Sequence, residues 1–216
     1  MNKPILILVD GASGSGKTTV SSEIINNLPG NVKSVIVCQD RYYVNSDTAH
    51  HTEDHVDFNY DHPAAFEWEL MRNDVKKLLN GEPVDLPIYD YVEHKRKSET
   101  DLVQGVDVII MEGIYALYDK EINKMATLKI FVDTPKDECL IRRLERDVNS
   151  RGRSLQSVIN QWRETVRPMY DKFIEPLKFK ADIIVPWSNH SQSALDTVRF
   201  GLIGLLQGKN ELLSKK

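Results

Sequence analysis

Residues 5–18 read Ile-Leu-Ile-Leu-Val-Asp-Gly-Ala-Ser-Gly-Ser-Gly-Lys-Thr, and this stretch decides the fold. Its apolar part, Ile5–Val9, has the composition of a strand buried on both faces. Its second part, Gly11–Thr18, matches the pattern G-x-x-x-x-G-K-[ST], and residues with helical spacing follow from Thr18 to Leu28. Because the pattern requires a strand before it and a helix after it, the sequence predicts a P-loop rather than a simple glycine-rich turn.

The P-loop predicts how phosphates are held. Its glycines let backbone N–H groups curl around phosphate oxygens, and the helix behind it directs the positive end of its dipole at them. Lys17 is expected to reach the β- and γ-phosphates, and the Thr18 hydroxyl is expected to ligate Mg²⁺. The predicted nucleotide-binding residues are Gly11, Ala12, Ser13, Gly14, Ser15, Gly16, Lys17, Thr18 and Thr19.

Buried strands and helical patterns alternate along the rest of the chain. Helical spacing covers Pro135 to Asn149 and Leu155 to about Ile174. Strands that alternate with helices form parallel sheets, so we predict an α/β fold with a five-stranded parallel sheet and helices on both faces. Besides Ile5–Val9, the predicted strands are Val35–Cys38, Val106–Met111, Leu128–Val132 and Ile183–Val185.

One region interrupts this alternation. Arg41 to Asp61 is polar and aperiodic and predicts a loop, whose histidines (His50, His51 and His55) suit solvent better than a metal site. Asp61-His62-Pro63 has the form of a helix start, and that helix is predicted to run to Asn80. Alternating aromatic and charged residues from Pro87 to about Thr100 predict a projecting β-hairpin. We assign residues 84–100 as a substrate-binding element, although a surface hairpin with ordinary packing aromatics would look similar.

Length and charge limit the classes of function. The 216 residues, 41% of them hydrophobic, fit one domain over residues 1–207 with a polar tail at 208–216. A net charge of −4 disfavours nucleic acid and anionic membranes as partners. No apolar run is long enough to span a bilayer, and the two cysteines lie beside apolar residues as small buried side chains do. We therefore expect a cytoplasmic protein.

The commonest classes of P-loop protein are distinguished by short motifs. A GTP-driven switch needs a guanine-reading Asn-Lys-x-Asp, but Asn123–Ala126 lacks the aspartate, and a transporter ATPase needs Leu-Ser-Gly-Gly-Gln, which is absent. A small-molecule kinase needs an acceptor pocket, a base for the acceptor hydroxyl and a mobile cationic lid. The chain offers residues for all three, so a kinase is the favoured class.

Two acids follow predicted strands at the edge where the P-loop lies. Asp40 comes after the second strand and can accept the proton of an attacking hydroxyl, although a turn-forming aspartate would occupy the same position. Glu112 ends the third strand, where beside a P-loop a contact to Mg²⁺ is favoured over an exposed acid.

Five arginines lie within the twelve residues 142–153: Arg142, Arg143, Arg146, Arg151 and Arg153. A solvated charge run is the ordinary reading of such a segment. Beside a P-loop, a helix with a glycine break at Gly152 and flanking cations favours a lid, which we place at residues 142–156.

With these residues in place, the chain resembles the bacterial uridine kinase (uridine–cytidine kinase) family over nearly its whole length. The segments that carry the resemblance are Gln39–Tyr43, Asn59–Pro63, Leu86–His94, Glu112–Ile114, Phe131–Pro135, Arg142–Asp147, Arg151–Ser154, Thr165–Met169 and Ala181–Pro186. It implies a P-loop kinase fold of nucleoside-monophosphate-kinase type. It also implies transfer of the γ-phosphoryl group of ATP or GTP, with Mg²⁺, to the 5′-hydroxyl of uridine or cytidine in pyrimidine salvage.

The resemblance also implies roles for individual residues. Asp40 looks like the general base, Asp61 like the ligand of ribose hydroxyls, and Tyr89 with His94 like the pyrimidine contacts. Arg143, Arg153 and Gln161 fall where the family contacts nucleoside or phosphate, Thr18 and Glu112 fall at the metal site, and Lys17, Arg143, Arg151 and Arg153 would act with Asp40 in catalysis. Family members are commonly homotetramers and are often inhibited by CTP or UTP.

One departure and two alternatives stay open. Trp187–His190 stands where the family usually has Arg-Gly-Gly beside the donor base, so the sequence does not decide between ATP and GTP. The first alternative is a related P-loop kinase for another small alcohol. The second is a triphosphate-binding regulatory protein without transfer activity.

Overall fold

A computed structural model describes residues 3–44, 59–91, 93, 95–188 and 191–214, with side chains described to residue 207. Most of the predicted loop from Arg41 to Asp61, including its three histidines, lies outside these residues. The strands are β1 (Ile5–Gly11), β2 (Ser34–Cys38), β3 (Val84–Asp90), β4 (Lys95–Val103), β5 (Val108–Glu112), β6 (Leu128–Asp133) and β7 (Ile183–Pro186). The helices are α1 (Lys17–Asn26), α2 (Trp68–Leu79), α3 (Lys120–Met125), α4 (Lys136–Arg151), α5 (Leu155–Gln161) and α6 (Gln192–Ser214).

Five strands form one parallel sheet in the order β2-β5-β1-β6-β7, and β3 pairs with β4 as an antiparallel hairpin. The predicted five-stranded α/β sheet and projecting hairpin are therefore confirmed. β1 lies in the middle, so the P-loop that follows it lies at the centre of the carboxyl edge. Open parallel sheets bind ligands at this edge.

Alternate residues of β1 enter two separate cores. Leu6 and Leu8 pack on one face with α2, α3 and the helical segment after α5. Ile7 and Val9 pack on the other face with α1 and α6. This two-residue alternation is the pleat of a strand that is covered on both faces, and it explains why the strand sequence is continuously apolar.

The prediction that a helix begins at Asp61-His62-Pro63 is wrong about where the helix starts. His62 Nδ1 accepts a hydrogen bond from the Ala64 N–H and caps a short 3₁₀ turn, Pro63–Ala65. Phe66 then has an extended backbone, with φ −114° and ψ 142°, and α2 begins only at Trp68. His62 caps a helical turn, as predicted. The side chain of Phe66 is buried in the core, however, and the backbone extends at this residue to place it there.

The helical segment predicted from Leu155 to about Ile174 exists but is not uniformly α-helical. After α5 it passes through π-helical turns at Trp162–Val166 and Tyr170–Ile174, with one short α-helical turn between them, and ends in a 3₁₀ helix, Glu175–Lys180.

At the end of the chain, α6 continues to Ser214, so residues 208–214 of the predicted tail are helical. Among the described residues, no helix is long and apolar enough to cross a membrane.

The hairpin is fastened to the sheet edge by Arg41, which lies in the 3₁₀ turn after β2. Its Nη1 donates to the Pro87 carbonyl at 2.8 Å and to Asp101 Oδ2 at 2.7 Å, so it holds both hairpin strands. Arg96 adds an ion pair with Glu67 just before α2. These contacts place the hairpin beside the acids at the carboxyl edge.

Candidate active site

The P-loop has the backbone that phosphate binding requires. Gly14 and Gly16 have φ of 84° and 98°, a region that residues with a Cβ rarely adopt. A Cβ on Gly14 would lie 2.3 Å from the Cys139 carbonyl oxygen, and one on Gly16 would lie 2.3 Å from the Trp187 ring. Lys17 Nζ donates to the Ala12 carbonyl at 2.9 Å and stays largely buried. The loop is therefore tightly packed on both sides, with its lysine folded over it.

Thr18 and Glu112 meet at the proposed metal position. The Thr18 hydroxyl donates to Glu112 Oε1 at 3.0 Å. Burial raises the pKa of Glu112, the charge of Lys17 opposes this, and the charge of Asp40 raises it further. A hydroxyl and a buried carboxylate beside a P-loop are oxygen ligands of the kind Mg²⁺ prefers, and a cation would stabilise the ionised acid, so the residues fit the ion.

Asp40 lies in the 3₁₀ turn directly after β2 and is half-buried. The Tyr91 hydroxyl donates to its Oδ2 at 3.3 Å. The Tyr91 ring also lies 4.7 Å from the guanidinium carbon of Arg151. One hairpin residue thus contacts both the acid after β2 and the last arginine of α4.

Asp61 lies in the wall of a narrow cleft that begins at Ala12 and Ser13 of the P-loop. Its Oδ2 accepts from the Thr165 hydroxyl at 2.9 Å, and its backbone carbonyl accepts from the Tyr115 hydroxyl. Burial raises the pKa of Asp61, while the charge of Arg143 lowers it. The cleft therefore joins a phosphate loop to a buried carboxylate that can accept hydrogen bonds from hydroxyl groups.

Arg143 connects the P-loop to α5, the helix that we expect on the acceptor side of the cleft. Its Nη1 donates to the Ser13 hydroxyl at 2.7 Å and its Nη2 donates to Gln161 Oε1 at 2.8 Å. Arg153 reaches the same Gln161 oxygen from beyond the glycine break at Gly152. The predicted residues Arg143, Arg153 and Gln161 are thus brought together at the mouth of the P-loop.

Two predicted pyrimidine contacts have different outcomes. Tyr89 is buried and packs against Tyr43 and Tyr91, with ring centroids 5.3 and 5.5 Å apart. It does not line the cleft that contains Asp61. His94 lies outside the described residues. The role of both residues in binding a base remains a prediction.

The segment after β7 packs against the P-loop from the side opposite the cleft. The Trp187 side chain is buried against Gly16, and Arg142 Nη2 donates to the backbone carbonyls of Trp187 and Ser188 at 3.2 and 3.1 Å. Arg142 therefore faces this segment, whereas its neighbour Arg143 faces Ser13.

Sequence reasoning missed three residues that the structure places at the site. They are Tyr91 beside Asp40, Thr165 beside Asp61, and Asp147, whose carboxylate lies among the arginines of α4. Tyr91 and Thr165 fall within segments that carried the family resemblance, so they were visible as members of a motif but not as contacts. Asp147 lies within the charged segment 142–153, where the sequence pattern does not distinguish it from an exposed acid.

The family model described as "Phosphoribulokinase / Uridine kinase family" matches residues 6–193. A protein named Uridine kinase from Ureaplasma parvum serovar 3 is 53% identical over 195 residues, which cover 90% of this chain and 94% of that protein. One of the same name from Ligilactobacillus salivarius is 49% identical and covers 90% and 91%. Among solved structures, the D-glycerate 3-kinase from Cryptococcus neoformans var. grubii superposes with a TM-score of 0.62 at 18% identity, covering 82% and 81%, and supports the fold alone.

Proposed function

Since the chain belongs to the phosphoribulokinase/uridine kinase family, we propose that it is a uridine/cytidine kinase. It transfers the γ-phosphoryl group of ATP or GTP to the 5′-hydroxyl of uridine or cytidine and so produces UMP or CMP. The observation that carries this proposal is a cleft whose lining includes both Ala12 and Ser13 of the P-loop and the buried Asp61. A triphosphate on the loop and a sugar on the acid would then meet in one site.

On the donor side, the P-loop backbone and Lys17 bind the β- and γ-phosphates. Thr18 and Glu112 would hold Mg²⁺, which would supply positive charge against the phosphates during transfer. Lys17 would exchange the Ala12 carbonyl for phosphate oxygens. The donor base would lie near the segment after β7, where Trp187 stands against Gly16.

On the acceptor side, Asp61 accepts hydrogen bonds from the ribose hydroxyls, and Tyr89 with His94 contacts the pyrimidine. Gln161 is oriented by two arginines and presents its amide to the nucleoside. Asp40 accepts the proton of the 5′-hydroxyl as that oxygen attacks the γ-phosphorus. Its position after β2, at the edge where the P-loop begins, supports this role.

Arg143, Arg151 and Arg153 stabilise the charge on the transferring phosphoryl group. Arg143 already contacts Ser13 of the P-loop at 2.7 Å, and Arg153 shares its partner Gln161. Guanidinium groups beside the phosphate loop stabilise the charge that develops on the transferring group. Residues 142–156 would close as a lid over the phosphates, with Gly152, at φ 65°, as the break.

The wider context of the enzyme belongs to the same proposal. We infer a cytoplasmic homotetramer that is inhibited by CTP or UTP, which the family resemblance supports. No nucleic acid or membrane partner is proposed, in keeping with the net charge of −4.

An acceptor panel tests the proposal. The purified protein is incubated with ATP·Mg²⁺ or GTP·Mg²⁺ and with uridine, cytidine, ribulose 5-phosphate, pantothenate or a nicotinamide nucleoside, and products are separated by chromatography. We expect 5′-UMP and 5′-CMP as the main products. A product from another alcohol alone would favour the related kinase, and triphosphate binding with no product would favour the regulatory protein.

A further inference from the structure

Asp147 on α4 is a fully buried acid surrounded by four arginines. Its carboxylate oxygens lie 2.8 Å from Arg146 Nε, 3.5 Å from Arg143 Nε, 3.5 Å from Arg151 Nη1 and 3.7 Å from Arg153 Nη1. These are all the arginines of the predicted lid except Arg142, which faces the segment after β7. One side chain is thus the common counter-ion of the lid.

The backbone of Asp147 also shapes the lid. Its carbonyl oxygen accepts from the Gly152 N–H at the end of α4 and from the Arg153 N–H at 3.1 Å. Gly152 has φ 65°, so the chain reverses there and returns over the end of the helix. This reversal brings Arg151 and Arg153 to the same carboxylate from two sides.

The arginines held in this way reach three different parts of the site. Arg143 donates to Ser13 of the P-loop, Arg153 donates to Gln161 and to Ser157 on the acceptor-side helix, and Arg151 packs on the hairpin residue Tyr91. Since each of these guanidinium groups forms an ion pair with Asp147, a shift of that carboxylate would displace all of them together.

The charges do not balance within this group. Burial acts to raise the pKa of Asp147, but the hydrogen bond and charge of Arg146 and the charges of Arg143 and Arg151 hold it below its usual value. Four guanidinium groups therefore pair with this one carboxylate, and the only other acid on which the charges of Arg143 and Arg153 are seen to act in the described site is Asp61. The remaining positive charge faces the P-loop and the cleft, where a polyphosphate would supply the missing negative charge.

We propose that Asp147 is a positioning residue for phosphoryl transfer, which fixes the lid arginines across the P-loop, the acceptor-side helix and the hairpin. This inference rests on the proposed kinase function. Displacement of a catalytic group by about 1 Å can reduce a rate 10²-fold. Loss of Asp147 should therefore act on kcat more than on the binding of either substrate.

The test compares Asp147→Asn with Glu145→Gln, an exposed acid two residues away on the same helix. We expect Asp147→Asn to lower kcat for uridine by about 10- to 100-fold. The KM for uridine and the Kd for a non-hydrolysable ATP analogue should change less than kcat does, because the P-loop and Asp61 remain in place. Glu145→Gln should match the wild type, and kcat is referred to the folded fraction measured by thermal unfolding.

Several results would overturn the inference. A kcat for Asp147→Asn within twofold of wild type would do so, and so would equal losses in the affinities for both substrates. If the variant does not fold, Asp147→Glu, which keeps the charge but moves it by one methylene, takes its place with the same expected split, and unfolding of both variants would make the role of Asp147 structural. A wild-type protein that makes no nucleotide from uridine or cytidine would instead refute the proposed function, and with it this inference.

Discussion

At the scale of single residues, three carboxylates influence one another at the carboxyl edge of the sheet. The charge of Asp40 raises the pKa of both Asp61 and Glu112, which burial has already raised. Such an arrangement favours bound cations and donated hydroxyl groups, because each of them lowers the free energy of the ionised acids. It also means that neutralising Asp40 changes the electrostatics of the proposed metal site as well as removing the proposed base.

The proposed base is tested by Asp40→Asn. The amide keeps the shape of the carboxylate but cannot take a proton, so we expect kcat for uridine to fall by about 10²- to 10⁴-fold. The affinity for an ATP analogue with Mg²⁺ should be retained or increased, because Glu112 loses a negative neighbour. Steady-state kinetics and calorimetric titration measure the two effects, and turnover near the wild-type rate would refute the assignment of the base.

Asp10 makes the stability of the fold depend on pH. It ends the apolar run of β1, is fully buried, and accepts a hydrogen bond from the Leu117 N–H at 2.8 Å. Burial raises its pKa well above the usual 3.8, against the charges of Lys17 and Lys180. An acid whose pKa is raised on folding takes up a proton in the native state, so its contribution to stability is present below pH 3.8 and is lost as the pH rises through the folded pKa.

We therefore expect Asp10→Asn to be more stable than wild type at pH 8, by about 1 kcal/mol. That corresponds to about 2–4 °C in Tm for a chain of this size. The difference should shrink as the pH falls, because the wild-type acid then gains its proton. Thermal unfolding from pH 5 to 8 measures it, with the exposed Glu145→Gln as the control, and a difference that grows as the pH falls would contradict the account.

At the scale of elements, the β3–β4 hairpin is linked to the site by Tyr91, whose hydroxyl donates to Asp40 and whose ring packs on Arg151. Tyr91→Phe removes the hydrogen bond and keeps the ring. Net hydrogen-bond energies of about 0.5–1.5 kcal/mol predict a 2- to 10-fold loss in kcat. Tyr91→Ala, which also removes the contact with Arg151, should lose more.

The control for the hairpin is Tyr118→Phe, a tyrosine that packs on Trp68 and Tyr115 away from Asp40. It should match the wild type in kcat and KM. Equal effects of Tyr91→Phe and Tyr118→Phe would show that the Tyr91 hydroxyl has no particular role in orienting Asp40.

The elements also show what a sequence can predict. The five sheet strands were predictable because a parallel strand covered on both faces must be apolar throughout. The start of α2 was not, because the extended backbone at Phe66 depends on where its ring packs. The π-helical turn that contains Thr165 was not predicted either, since its register accompanies a tertiary contact to Asp61, which is remote in the sequence.

The site divides in the same way. The P-loop is continuous in sequence, so its residues and the phosphate ligand could be predicted directly. Asp40 and Glu112 followed from the rule that parallel strands end at one edge. The roles of Tyr91 and Asp147 could not be predicted, because they depend on contacts between distant residues. Tyr91 contacts Arg151, and Asp147 pairs with arginines on both sides of the chain reversal at Gly152. In sequence, an acid within a solvated charged segment cannot be distinguished from a buried acid that pairs with several arginines.

At the scale of the whole molecule, the donor and acceptor parts of the site are held by the same elements. The sheet edge supplies the P-loop, Asp40 and Glu112, and the hairpin and the helical segments after α4 surround this edge. α4 runs between the two parts, with Arg142 on the segment after β7 and Arg143 on Ser13. The net charge of −4 is thus compatible with a strongly cationic region confined to the phosphate site.

The most direct test of the central claim follows the γ-phosphate itself. The protein is incubated with uridine, Mg²⁺ and ATP carrying a γ-³²P label, and the products are separated and counted. We expect the label to appear in 5′-UMP in an amount equal to the ADP formed. Asp40→Asn should abolish most of this transfer. Label found only as inorganic phosphate, or no loss of label from ATP, would contradict it.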